Sequence, residues 1–243
     1  MTGTTRRGLL SATAIIAFAE AASAKTYTGT MPWSPNYADP AQIVTPGGWK
    51  FFTDVEAQAV DAILARLIPT DQLGLGAKDT GGTVFIDRQL AGPYGGHDWL
   101  YMQGPFPANP LPQQGLQSPV TPRDQYRQGL KALDAYCSAN LAGRNFAALS
   151  PDEQDLVLTG LQKGEIKLDG RDARGFFNRL LTNAQEGFFA DPIHGGNQGM
   201  AGWKLVGFPG VRYDYRDVIA NPNKPYTLPP VSLQGRAEWE SGR

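Results

Sequence analysis

The stretch that decides the fold is "RDARGFFNRLLTNAQEGFF", residues 171–189. Its apolar side chains recur at spacings of three and four residues, which is the period of one face of an α-helix. The residues on that face are Phe176, Phe177, Leu180, Leu181, Ala184 and Phe188. An apolar stripe of this kind must be buried against other elements, so the segment predicts a helix whose phenylalanine-rich face points into the core.

Four more helices are predicted upstream from their start and stop signals. Capping boxes, in which a Ser or Thr and a Glu three residues later bind exposed backbone amides, indicate helix starts at Thr53 and Ser150. Thr121 followed by Pro122 indicates a third start, because proline is tolerated at the first helical position. A shorter helix ends at Gly92. No alternating strand patterns are joined by a hairpin turn, so we expect a mainly α domain of about five helices.

Proline, glycine and aromatic residues are concentrated outside these helices, in two long loops and two extended arms. The arms lie at residues 27–48 and 213–243, and the loops at residues 94–122 and 190–210. An apolar patch built from so many rings is rarely left open on a monomeric protein, and protein interfaces favour aromatic residues. We therefore expect these segments to order on a partner protein; folding back over the chain's own helices is the alternative.

The bulkiest side chains of these segments are the candidate contacts with that partner. They are Trp33, Trp99, Phe106, Trp203 and Phe208. The glycine-rich loop at residues 190–210 reads "ADPIHGGNQGMAGWKLVGFPG". Its spacing matches neither the dinucleotide fingerprint nor the P-loop, so we interpret it as a turn whose backbone approaches another surface closely.

The amino terminus has the three parts of a cleavable secretory signal. A basic pair, Arg6 and Arg7, precedes a short apolar run, and small residues follow it, ending at Ala22 and Ala24. The run is about half the ~20 residues that a membrane-spanning helix needs. The adjacent arginines before bulky apolar residues resemble a twin-arginine export signal, and a plain secretory signal is the alternative.

We therefore expect a twin-arginine signal peptide over residues 1–24 and a single helical domain over residues 25–243. The formal net charge of −1 gives no electrostatic footprint for nucleic acid or an anionic membrane surface. Cys137 is the single cysteine, so the chain cannot form an internal disulfide, and its place on an apolar helix face is typical of a small core residue.

The sequence offers little catalytic chemistry. His97 and His194 are the two histidines, each in a loop, and the spacing of His, Cys and carboxylates matches no metal site. A serine nucleophile elbow and a c-type haem attachment run are both absent. We predict no catalytic, cofactor-binding or metal-binding residue in this chain. The alternatives are a stand-alone periplasmic enzyme that uses one of the histidines, or a sugar-binding protein whose loop aromatics stack on sugar faces.

Three stretches of the sequence carry a resemblance to a known family. They are "TRRGLL" at residues 5–10, "FFTDVEAQAVDAILARLIPTD" at 51–71 and "GFFADPIHGGNQGMAGWKLVGFPG" at 187–210. They resemble the small (gamma, or subunit 3) component of gluconate 2-dehydrogenase and its relatives. The positions that the last motif supports as important are Asp191, Gly195, Gly196, Asn197, Trp203, Phe208 and Gly210.

This resemblance implies a membrane-associated dehydrogenase of three subunits. A large flavoprotein holds FAD and oxidises the sugar or sugar acid, a multihaem cytochrome c carries electrons to quinone, and the small subunit binds no cofactor. Because the flavoprotein of such complexes typically lacks its own signal, the small subunit is expected to escort it, already folded, through twin-arginine export and to stabilise it. The implied location is the periplasm, on the outer face of the cytoplasmic membrane, with attachment through the cytochrome. Gluconate is the first candidate for the substrate.

Overall fold

The computed structural model describes residues 47–107, 109–115, 117–212 and 215–233. The predicted export signal, with Arg6, Arg7, Ala22 and Ala24, lies outside the described residues, as do Trp33 with nearly all of the amino-terminal arm, and residues 213–214 and 234–243 of the carboxyl-terminal arm. Within the described residues the regular structure is helical, and β-structure is limited to isolated bridges. The prediction of a mainly α domain is confirmed.

The helices are numbered here in chain order over the described residues. They are α1 (Asp54–Leu67), α2 (Gly82–Ala91), α3 (Pro93–Gly96), α4 (Pro122–Asn140), α5 (Pro151–Lys163), α6 (Ala173–Phe189), α7 (Ala201–Val206) and α8 (Arg216–Ile219). The five predicted helices correspond to α1, α2, α4, α5 and α6. The other three have at most six residues, too few for apolar periodicity to reveal them.

The helix starts follow from the sequence signals that predicted them. Thr53 and Ser150 accept hydrogen bonds from the amides of Glu56 and Glu153, and both glutamates bind back, so both capping boxes are formed. Thr121 caps α4 in the same way, with Pro122 at the first helical position. Helix α6 begins two residues later than the sequence suggested, because the Asp172 side chain caps it by accepting from the Gly175 amide.

Helix α6 lies at the centre of the bundle and contacts α1, α2, α4, α5 and α7. Its apolar face is buried as predicted, except that Leu181 is half-exposed. Gly129 of α4 lets this packing be close, because a methyl group there would lie 2.5 Å from the Phe176 ring. Cys137 is fully buried in the same core, and burial raises the pKa of its thiol to about 11. Cys137 is therefore a core residue.

A buried carboxylate fixes the point where the chain enters the bundle. Asp87 of α2 accepts hydrogen bonds from the backbone amides of Lys50, Phe51 and Phe52, each at 2.9 Å. Arg88 pairs with the same carboxylate. Burying a charge is costly unless hydrogen bonds compensate it, and here three amides and a guanidinium do so. We call this arrangement the Asp87 anchor.

The described residues contain no helix that is both long enough and apolar enough to cross a membrane.

Candidate partner interface

The glycine-rich loop at residues 190–210 is held in shape by one buried amide. Asn197 is fully buried and adopts a left-handed backbone conformation with φ of 47°. Its side-chain oxygen accepts from the Gly202 amide and its nitrogen donates to the Ala190 carbonyl, both at 2.8 Å. Asparagine tolerates this conformation better than most residues. The side chain therefore joins the start of the loop to the start of α7.

Two glycines of the loop bring its backbone against the end of α6. A methyl group on Gly196 would lie 2.2 Å from the carbonyl oxygen of Gly187, and one on Gly202 would lie 2.2 Å from that of Phe188. Real side chains do not tolerate such distances, so only glycine fits at either position. The close approach predicted from the sequence is present, and the surface approached belongs to the same chain.

The loop also packs against the turn before α2 and against the carboxyl-terminal segment. The Gln198 amide donates to the Thr80 carbonyl at 2.9 Å, and a methyl group on Gly81 would lie 2.4 Å from the Gly195 carbonyl oxygen. At the other end, Gly210 has φ of 79° and forms a parallel bridge with Val231. The glycines of the motif thus fit the loop to two separate parts of the fold.

Asp191 fastens the carboxyl-terminal segment to the loop. One carboxylate oxygen accepts from the Ile193 amide at 3.1 Å and caps a short 3-10 helix. The other accepts from the Leu233 amide at 2.8 Å. Both oxygens are occupied by backbone amides, so this carboxylate acts as a structural clamp.

Trp203 of α7 is buried and lies beneath Phe208. Its indole nitrogen donates to the Phe189 carbonyl at 2.7 Å, and its side chain is only 5% exposed. The Phe208 ring packs edge-on against the indole with centroids 5.1 Å apart, and Phe208 remains 46% exposed. Trp203 therefore supports an aromatic ring that is open to a partner.

The structure separates the sequence-predicted contact residues into two groups. Trp99 and Phe208 are exposed and Phe106 is half-buried, so a partner can reach these rings. The motif positions that are buried and maintain the loop's own shape are Gly195, Gly196, Asn197, Trp203 and Gly210. Contact with a partner stays a prediction for both groups.

Sequence reasoning missed most of the exposed apolar side chains that accompany these rings. Around Trp99 and along the following loop they are Leu100, Tyr101 and Leu111, and around Phe208 they are Leu205, Val206 and Val211. The aliphatic members carry no compositional signal of their own. Helical geometry gives one signal: Leu205 follows Trp203 by two residues, so it points to the opposite side of α7 from the buried indole.

The two histidines occupy different environments. His194 is exposed, and its amide donates to the Asp191 carbonyl, which makes that pair a turn. His97 is buried, and its Nδ1 atom forms no hydrogen bond with the residues described. Burial first, and the charge of Arg179 second, lower the pKa of His97. In the described part of the chain neither imidazole is hydrogen-bonded to an aspartate.

A cleft of about 480 Å³ lies between α2, α3 and the end of α6. Its lining residues are Phe85, Gln89, Tyr94, Glu186, Ala190, Asp191 and His194. The Tyr94 hydroxyl already accepts from Arg179 at 2.9 Å and from Asn183 at 3.0 Å, and Glu186 accepts from Asn183 at 2.7 Å. The described residues include no group of three or more His, Cys, Asp or Glu that could hold a metal ion.

Comparison with known proteins adds one finding. A family model described as "Gluconate 2-dehydrogenase subunit 3" matches residues 54–210, which run from the start of α1 to the end of the glycine-rich loop and make up well over half of the chain. No curated protein and no solved structure matches the chain significantly.

Proposed function

Since the chain belongs to the gluconate 2-dehydrogenase subunit 3 family, we propose that it is the non-catalytic small subunit of an FAD-dependent dehydrogenase complex. Membership in this family makes it a subunit of a multi-subunit dehydrogenase and implies partner subunits. The partners proposed here are a large flavoprotein that binds FAD and a multihaem cytochrome c. Both cofactors then belong to the partner chains.

The observation that carries this proposal is the exposure of aromatic side chains in two places, in the segment that follows α3 and on the glycine-rich loop. Trp99 is 72% exposed and Tyr101 is 80% exposed, and Phe208 stands on the buried indole of Trp203. Interface hot spots are enriched in tryptophan and tyrosine. A surface with these side chains supports docking to another protein, and the flavoprotein is the partner that we propose for it.

The proposed role includes escort during export. Arg6 and Arg7 carry the twin-arginine pattern, and this route suits a flavoprotein that has already folded around its flavin. The complex would then lie in the periplasm, on the outer face of the cytoplasmic membrane, where the cytochrome attaches it. The small subunit would reach the membrane only through that attachment.

The test is co-expression of the full chain with the large flavoprotein of the same complex, carried out with the double variant R6K/R7K. Lysines keep the positive charge but lose the arginine pair, so dehydrogenase activity should move from the periplasmic to the cytoplasmic fraction. The conservative pair T2S/T4S, just upstream, is the matched control and should leave the distribution unchanged. Normal export of active flavoprotein with R6K/R7K would contradict the escort role.

A second measurement separates subunit from stand-alone protein. The purified chain alone should be colourless, should not turn over sugars or sugar acids, and should give no heat of binding with them in calorimetry. Mixed with the flavoprotein, it should form a stable complex by gel filtration. Turnover by the isolated chain that disappears on His194→Asn or His97→Asn would favour the enzyme alternative instead.

A further inference from the structure

His97 stands at the joint between the bundle and the exposed aromatic loop. It follows α3 directly and has a left-handed backbone conformation, with φ of 54°. Its amide donates to the Tyr94 carbonyl at 3.2 Å, and its carbonyl accepts from the Leu100 amide at 2.9 Å. The imidazole is only 7% exposed, whereas Trp99, two residues later, is 72% exposed. His97 is thus the last buried side chain before the loop turns outward.

The groups around this joint favour a neutral imidazole. Arg179 of α6 is the cation whose charge acts on the imidazole, Arg123 of α4 lies beside Gly95 and Gly96 just before it, and the neighbouring carboxylate is that of Asp98, which lies beside Gly96. Each of these arginines is already bound by other groups, Arg123 by the Leu90, Ala91 and Gly92 carbonyls and Arg179 by Gln125 and Tyr94. No carboxylate hydrogen-bonds to the imidazole among the described residues, so an added proton would find no anionic partner there.

We propose that His97 is a proton-operated latch: the neutral, buried imidazole fixes the turn from which the start of the aromatic loop, residues 98–101, projects into solvent, and protonation releases that turn. Two backbone hydrogen bonds hold the turn at His97. The Asp98 amide donates to the Pro93 carbonyl, and the Leu100 amide donates to the His97 carbonyl. Once the imidazole leaves its site, these two hydrogen bonds lose their support.

The direction of the pH dependence follows from the lowered pKa. In a released loop His97 is hydrated and titrates near its ordinary value of about 6.5, whereas in the latched loop its pKa is lower. The ratio of latched to released loop is therefore constant above about pH 6.5 and falls as the pH drops, by at most about tenfold per pH unit. The fall ends once the pH is below the pKa of the latched form.

This inference concerns the isolated chain and goes beyond the proposed function. Only its consequence rests on that function: if Trp99 and Tyr101 dock the flavoprotein, proton release of the loop would control docking. The latch itself can be tested with no partner present, so its failure and a failure of the subunit proposal are distinguishable.

The experiment uses a nitroxide spin label on the full chain. Tyr101→Cys places the label at a position that is 80% exposed, while the native Cys137 is fully buried and is checked by labelling the unsubstituted chain. Label mobility is followed by electron paramagnetic resonance from pH 8 to pH 5. We expect the mobile fraction to rise several-fold below about pH 6.5.

Two histidine variants decide whether His97 is responsible. His97→Asn keeps a residue that accepts the left-handed conformation but cannot be protonated, so the rise should disappear. His194→Asn removes the exposed histidine and should leave the rise unchanged.

If His97→Asn does not fold, proton NMR of the unsubstituted chain supplies the answer, because the chain has only two histidines. The midpoint of the mobility change should coincide with the titration of His97, whose imidazole signal is the one that remains in His194→Asn. A mobile fraction that stays constant across the range, a rise that survives in His97→Asn, or a midpoint that follows the other histidine would each overturn the latch.

Discussion

Two irregular regions of this molecule are built in opposite ways. The glycine-rich loop at residues 190–210 is fixed by internal bonds: the Asn197 amide, the Asp191 carboxylate and glycines that fit against the end of α6. The segment at residues 98–111 contains Trp99, Tyr101 and Leu111, each more than 60% exposed. The comparison shows that the residues of the glycine-rich loop fix its own conformation. Residues 98–111 instead leave their large apolar side chains exposed to solvent.

The difference has a physical origin in what each residue type can do. Glycine and asparagine permit left-handed backbone and close backbone contacts, which are satisfied within the chain. Large apolar side chains in a loop lower the free energy only when another surface removes them from water. Residues 98–111 have few of the first set, Gly104 and Asn109, and many of the second, so we expect a partner to cover them.

The largest loss of stability is expected for Gly196→Ala. The new methyl group would lie 2.2 Å from the Gly187 carbonyl oxygen, a backbone atom of α6 that cannot move aside. We expect the free energy of unfolding to fall by about 4 kcal/mol, at the upper end for overpacking, as measured by urea denaturation. Gly48→Ala is the control, because nothing lies within 4 Å of the added methyl group. Equal stability of the two variants would show that the loop is not fitted to α6.

The second-largest loss of stability is expected for Asn197→Ala. This change leaves the Gly202 amide and the Ala190 carbonyl without their partner and adds the strain of alanine in a left-handed conformation. We expect a loss of about 3 kcal/mol by the same measurement.

Asn223→Ala is the matched control for that variant, because Asn223 is exposed and also has a positive φ, of 65°. It should lose only the conformational part, about 1 kcal/mol. If both variants lose the same amount, the side-chain bonds of Asn197 do not hold the loop.

A smaller effect is expected from Asp191→Ala. This variant loses the hydrogen bonds from the Ile193 and Leu233 amides, which lie at the edge of the loop where water can replace the carboxylate. The loss should be about 1 kcal/mol, as for a helix cap. Hydrogen exchange should also show faster exchange of the Leu233 amide. The control is Asp169→Ala at an exposed position, which should affect neither measurement. Unchanged exchange at Leu233 in Asp191→Ala would show that Asp191 does not hold the carboxyl-terminal segment.

The smallest effect on stability is expected from the double variant Trp99→Ser/Tyr101→Ser. Both side chains are largely exposed, so the free energy of unfolding should change by no more than about 0.5 kcal/mol. Binding to the flavoprotein should weaken at least about tenfold, as for loss of an interface hot spot, in a titration with the purified partner.

The control for this pair is Leu156→Ser. Leu156 is 73% exposed on α5, far in sequence from either loop, and should change neither stability nor binding. An unaltered affinity in the double variant would show that residues 98–111 are not the docking surface, and would direct attention to Phe208 and its aliphatic neighbours.

The sequence predicted the helices well because their signals are local. Capping at Thr53, Thr121 and Ser150 and the apolar stripe of α6 each depend on residues within one or two turns. The short helices α3 and α7 were missed, since four to six residues cannot show a period. Asp87 gave no sequence signal for its role, because the backbone amides that it binds lie 35 to 37 residues away.

The candidate site was predicted less completely, for reasons of tertiary structure. Trp203 and Phe208 look alike in the sequence, as bulky side chains among glycines, yet one is buried and the other is half-exposed. Which ring points inward depends on where α7 meets α6, and no local pattern records that contact. The aliphatic side chains of Leu205 and Val206 were overlooked because exposed leucine and valine are ordinary in a sequence and become informative only when a helix shows which way they point.

The Asp87 anchor has a mechanical consequence. Any tension on the chain preceding Lys50 enters the folded body at residues 50–52 and passes into α2 through three hydrogen bonds from backbone amides to the Asp87 carboxylate. Bonds that share a load in this way must break together, so force applied at the amino terminus is spread across one buried carboxylate before it can begin to peel α1 from the bundle.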